Sequence, residues 1–193
     1  MRYALYSLPC AAYDKINMGI ITEHLPVKLI TAITYHPQFE TDMVLKELED
    51  KNFLIESISE AYEFNKFTAY YETEMGSLLH KKFISFTALI AAEKLPGIKV
   101  QTNKIEQKYL VEQNRQINID PGYITQAKLI LATTKNYSHR IYLGEGIFGD
   151  LHMQFRNKSF QPQPWTYPDY KDEQNVRFFN SVRARYLEQL AEI

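Results

Sequence analysis

The chain has a single cysteine, Cys10, in 193 residues. One thiol excludes an intrachain disulfide and any cysteine-rich metal site. Long apolar runs are missing as well: none reaches the roughly 18 residues of a membrane-spanning helix, which excludes a membrane partner of that kind. The N-terminus lacks the basic cluster and apolar core of a secretory signal, with Arg2 alone at the start and Lys15 later. No charge is in excess, since 22 basic residues face 23 acidic ones for a formal net charge of -1. That balance argues against nucleic acid as a partner, because holding a phosphate backbone draws on a basic surplus. The motifs GxSxG, HxH, HExxH and GxxxxGK[ST] are absent, so no hydrolase elbow, zinc motif or P-loop can be assigned. Together these absences leave a reducing cytoplasm as the expected compartment.

What is present is an ordinary globular composition. Hydrophobic residues make up 45 % and charged ones 23 %, enough apolar material for a sizeable core. The length suggests one domain. Tyr (14) and Phe (11) are abundant, so aromatic packing is expected to dominate the interior. Residues 1–17 (MRYALYSLPCAAYDKIN) show neither helical nor strand period. They read as an N-terminal extension or as an over-called start ahead of Met18, leaving 18–193 as the domain.

Val27–Tyr35 (VKLITAITY) is apolar on both faces, the pattern of a central strand. Residues 39–51 carry a helical stripe of Phe39, Met43, Val44 and Leu48. Residues 53–64 suggest a strand that changes phase near Ser57, and 67–75 (FTAYYETEM) alternate as a strand does. A strand or short helix fits 83–90. Leu95-Pro96-Gly97 reads as a break, and Asn103 with Glu106 as a capping box for a helix over 104–114. A short strand at 117–119 leads to Asp120-Pro121, which reads as an N-cap followed by proline at the first helical position, with a helix to about 134. Residues 140–143 and 147–156 flank Gly144-Glu145-Gly146 as a hairpin. A Pro-rich aromatic loop, QPQPWTYPDY, then precedes a closing helix capped by Asp172. The expected fold class is α+β: a single domain with a mixed, mainly antiparallel sheet and helices packed on one face.

Five segments carry a resemblance. PVKLI (26–30), YYETEMG (70–76), NIDPGYIT (118–125), AKLILATTKNYSHRIYLGEGI (127–147) and PWTYPDY (164–170) resemble the bacterial domain-of-unknown-function 4416 (DUF4416) family, in the family's order and over about 18–190. The resemblance implies Met18 as the natural start, since members open with Met-Gly shortly before PVKL. It implies little about activity. Some members carry a GTP-binding label, but this chain has no P-loop, and Gly144-Glu145-Gly146 does not precede a helix.

Candidate chemistry gathers at element ends. Lys135, His139 and Arg140 form a cationic corner that can bind phosphate or carboxylate, or else complement a helix C-terminus. His139 is the candidate proton carrier. Glu72 and Glu74 share a strand face with Tyr70, about 7 Å apart along the backbone; they can hold Mg²⁺, divide acid and base roles, or form a solvated face. Asp120 is an N-cap, or the start of an anion site completed by Thr125 and Lys128. Trp165 can stack on a base or pack the loop. Asp150 and His152 share a face without the further ligands of a metal site. The resulting expectation is a cytoplasmic domain that binds a small anionic molecule such as a nucleotide or phosphorylated metabolite, with Mg²⁺ if it is an enzyme. The alternative is a non-catalytic interaction domain using the aromatic C-terminal loop.

Overall fold

The computed structural model of the protein describes residues 21–193. The readings of residues 1–17 and of Met18 lie outside the described residues. In chain order the elements begin with β1 (Val27–Tyr35), α1 (Thr41–Asp50), β2 (Ile55–Ile58), β3 (Tyr62–Glu63) and the single turn α2 (Glu72–Met75). Next come β4 (His80–Ile90), α3 (Leu95–Lys108), the ribbon β5 (Leu110–Val111) and β6 (Asn114–Arg115), and then β7 (Ile117–Ile124). The chain closes with β8 (Lys128–Thr133), β9 (Arg140–Gly144), β10 (Ile147–Arg156), β11 (Ser159–Pro162) and α4 (Glu173–Ala191).

The main sheet runs β11-β10-β8-β7-β1-β4-β2, with β3 added to β4 and β9 to β10. Its described pairings are antiparallel. Strand β1 takes the middle, and eight of its nine residues are buried. The reason is in its sequence, because a strand apolar on both faces is stable only where both are covered. Ile30 and Ala32 pack with Phe83, Phe179 and Val182 under α4. Leu29 and Ile33 pack with Val44, Leu48, Ile98 and Ile105 under α1 and α3. The α+β class therefore holds, while the helices divide between both faces instead of gathering on one. Phe83 anchors the α4 side, with its ring 4.9 Å from Tyr170 and 4.8 Å from Phe179 in edge contacts. Helix α4 starts where expected, with Asp172 accepting from the Gln174 amide.

Three expected elements differ. Residues 67–75 form no strand: 67–71 turn and α2 makes one helical turn. Strand β4 already pairs β1 on one side and β2 and β3 on the other, so neither side of β4 is left for them. Met75 and Tyr71 pack instead around Phe64 and Leu79. Leu95-Pro96-Gly97 opens α3 rather than breaking the chain, with proline in the first turn, where its missing N–H costs nothing. Asn103 thus sits mid-helix, and α3 ends at Lys108 ahead of the β5–β6 ribbon. Finally, Asp120-Pro121 is not a helix start, because β7 and β8 form a hairpin through the expected helix.

Candidate ligand-binding cavity

Proline at position 121 explains where the cavity lies. Strand β7 pairs β1 along its whole length, from Lys28↔Ile124 to Tyr35↔Ile117. Its pairing with β8 covers only Gly122, Tyr123 and Ile124. Pro121 has no N–H to donate, so the ladder to β8 ends there. Beyond it β8 continues to Thr133 beside β10. The two strands part, and a cavity of about 680 Å³ opens between them, within the rough 300–1,000 Å³ of small-molecule sites. Asn118, Asp120, Leu131, Ala132 and Thr133 contribute to its lining.

Parting two strands leaves backbone groups unpaired, and buried backbone groups must be satisfied. Helix α3 supplies the partners. Glu106 Oε1 accepts from the Ile119 amide at 2.8 Å. Lys99 Nζ donates to the Ile119 carbonyl at 2.7 Å and to Asp120 Oδ1 at 3.0 Å. Asn118 Nδ2 donates to Asp120 Oδ2 at 2.7 Å. Arg115 donates to Asn118 Oδ1 at 2.7 Å and clamps Glu74 with two bonds of 2.6 Å. Burial opposes the charge on Asp120, but Lys99 and Lys81 outweigh it and hold the carboxyl below the usual range. Burial dominates at Glu106 and raises its carboxyl despite Lys99.

The opposite wall is built on β9 and β10, where Arg140 pairs across from Asp150. Asp150 Oδ2 accepts from Arg140 Nε at 2.9 Å and meets His139 Nε2 at 3.3 Å. Its Oδ1 meets His152 Nδ1 at 3.2 Å. The His152 Nε2 accepts from the Tyr167 amide at 3.1 Å, so the proton of this neutral ring is on Nδ1 and is donated to Asp150. Burial holds His152 below the ordinary imidazole range, with Asp150 opposing. For Asp150, burial opposes ionisation, and the bonds from His152 and Arg140 overcome it. Arg140 also donates to the Lys135 carbonyl and the Tyr167 hydroxyl, each at 3.0 Å. His139 stacks on Trp165 at 4.8 Å, and its ring is also near parallel to that of Tyr137 at 6.1 Å. Trp165 is fixed by its Nε1–H, which donates to the Leu151 carbonyl at 2.9 Å. At the mouth, Lys135 Nζ donates to the Tyr70 hydroxyl and lies over that ring, 4.5 Å from its centre.

Six of the candidate residues therefore meet in one cavity: Tyr70, Asp120, Lys135, His139, Arg140 and Trp165. Four do not line it. Glu72 accepts from Asn65 at 2.7 Å, and Glu74 is occupied by Arg115. Their shared strand face does not exist, because α2 is a helical turn. Thr125 closes the β7–β8 turn, its hydroxyl accepting from the Ala127 and Lys128 amides. Lys128 is exposed at that turn, away from the opening beyond Pro121. The pairing of Glu72 and Glu74 around Mg²⁺ loses its geometry, since Glu72 accepts from Asn65 and Glu74 is paired with Arg115. Among the described residues no cluster of three or more His, Cys, Asp or Glu forms a metal site. Nor do Lys135 and His139 complement a helix, since the strand β8 precedes them. The aromatic C-terminal loop turns Trp165 and Tyr167 toward the cavity.

Lys81, Lys99, Glu106, Arg115, Asn118 and Asp169 are among the lining residues that sequence reasoning missed. Lys99, Asn103 and Glu106 recur at steps of four and three, one face of a helix, and this pattern is visible once Pro96 is taken as a helix start.

A single α+β domain with a polar, aromatic-rimmed cavity set into the parting of its central sheet is the class that fold and site define. Residues 25–186 match the family described as Domain of unknown function (DUF4416), and the chain belongs to that family. No curated protein and no solved structure matches the chain. Among the described residues no helix is long and apolar enough to cross a membrane.

Proposed function

We propose that this protein is a cytoplasmic domain that binds a small ligand joining an anionic group to a flat ring, such as a nucleotide or phosphorylated metabolite. One observation supports the reading above others: Lys135 and Arg140 share a cavity of ligand size with the rings of Tyr70, Tyr137, Trp165 and Tyr167. The exposed Lys135 at the rim attracts the anionic group, with Arg140 fixing the wall behind it, and rings of this kind offer stacking faces. If the bound molecule reacts, His139 is the group arranged to move a proton. The ionised Asp150 accepts from Nε2, which leaves Nδ1 of the neutral ring as the free base.

The test is a thermal-shift screen of the full chain against nucleotides, phosphorylated metabolites and divalent ions. A ligand at 100 times its Kd adds about 2.7 kcal/mol. A stabilising hit that disappears in Lys135→Ala supports the reading, and a flat screen refutes it. A second reading, an interaction domain, rests on strand β9, which among the described residues pairs only β10 and exposes Ile141, Tyr142 and Leu143. A flat screen with a mass that rises with concentration in light scattering favours that one.

A further inference from the structure

The pairing of charges inside the cavity deepens the ligand-binding reading and rests on it. Lys81 meets Asp169 at 2.6 Å, Lys99 meets Asp120 at 3.0 Å, Arg115 meets Glu74 at 2.6 Å and Arg140 meets Asp150 at 2.9 Å. Each of these cations is already matched by a carboxylate of the same protein. Lys135 differs. Among the described residues no carboxylate forms an ion pair with its ammonium group, which rests on Tyr70 and feels Glu74 only at longer range. It is also exposed at the mouth, where Tyr70 and Tyr137 are exposed beside it.

This arrangement has room for one new anionic group. A carboxylate or a single phosphate seated at Lys135 gains a cation that has no direct ion-pair partner among the described residues. Further phosphates would extend toward walls that hold Asp120 and Asp150, with no spare cation to meet them and part of their hydration lost. A divalent ion carried in with a polyphosphate would find no free carboxylate pair, because Asp120, Asp150 and Asp169 each already hold a cationic side chain. We infer that the ligand carries one anionic group, held by Lys135 next to an aromatic or heterocyclic ring, and that the cavity selects against nucleoside di- and triphosphates. The selection comes from uncompensated charge rather than from size.

Isothermal titration calorimetry at fixed ionic strength tests this on the full chain. The titrants are adenine, guanine, cytosine and uracil nucleosides with their mono-, di- and triphosphates, with and without Mg²⁺, together with aromatic carboxylates. The expected result is that the tightest ligand is a monophosphate or monocarboxylate, at least about tenfold tighter than the matching triphosphate in either condition. Lys135→Ala is expected to remove its advantage over the uncharged parent compound. A triphosphate that binds tighter than its monophosphate overturns the inference and leaves ligand binding intact. Failure of every titrant, together with a flat thermal-shift screen, overturns both.

Discussion

Replacing Asp150 with asparagine probes the cavity wall at its most connected point. The carboxylate is 2 % exposed, the Arg140 side chain 4 % and His152 0 %. One oxygen serves Arg140 and His139 and the other serves His152. The amide side chain would keep the size but lose the charge, and one acceptor would become a donor facing another donor. Removing one partner of a buried ion pair costs about 3–5 kcal/mol, because the other charge is stranded. For a domain of this length 1 kcal/mol corresponds to roughly 2–4 °C in Tm, so Asp150→Asn is expected to melt about 6–20 °C below the parent. Urea unfolding gives the free energy directly. Trp165 is the only tryptophan, and its stacking on His139 makes its fluorescence a local reporter. The decisive comparison is the double variant with Arg140→Met, which removes the stranded cation. Its cost should fall short of the sum of the single variants by about 1–3 kcal/mol. A loss below about 1 kcal/mol for Asp150→Asn, or additive costs in the double variant, would refute the argument that this wall is held by a charge-paired hub.

Two further outcomes follow from the same geometry. Gly122→Ala should destabilise by about 1–3 kcal/mol or more, since its Cβ would lie 2.3 Å from the Ile130 carbonyl oxygen, a backbone atom that cannot swing away. Unchanged urea unfolding would count against the close approach of β7 and β8. The pH dependence comes from His152, whose folded pKa is lowered by burial. The unfolded chain takes up this proton first, so its contribution is present above about pH 6.5 and is lost as pH falls, by at most about 1.4 kcal/mol per pH unit. The depressed Asp120 and Asp150 add a further loss nearer pH 4, while the raised Glu106 works against it. His152→Gln should flatten the fall between pH 7 and 5.5, measured by urea midpoints; identical slopes in both proteins would exclude His152 as its origin.

The fold was legible where one pattern has one meaning. A run apolar on both faces marked β1, alternation after a glycine turn marked β10, and Asp172 marked the start of α4. It was illegible where proline has two. Asp120-Pro121 fits a helix start equally well as the end of a ladder, and Leu95-Pro96-Gly97 fits a break equally well as a first turn. Only the neighbouring strand decides between them, and that is tertiary information. The cavity's rim could be read because Lys135, His139 and Arg140 lie close in sequence. Its floor could not, because Lys99 and Asp120 meet only after α3 has folded back onto β7.

The bonds from α3 to Ile119 tie a helix to a sheet as a key fits a lock. Side chains about two turns apart, Lys99 and Glu106, reach the carbonyl and the amide of a single residue. Sliding α3 by one turn, about 5.4 Å, would leave both groups of Ile119 without a partner. The helix is thus indexed to one peptide unit of the strand. The cavity floor consequently behaves as part of the scaffold, and differences in what such a cavity accepts fall to the segments around its mouth, 64–71, 133–140 and 164–169.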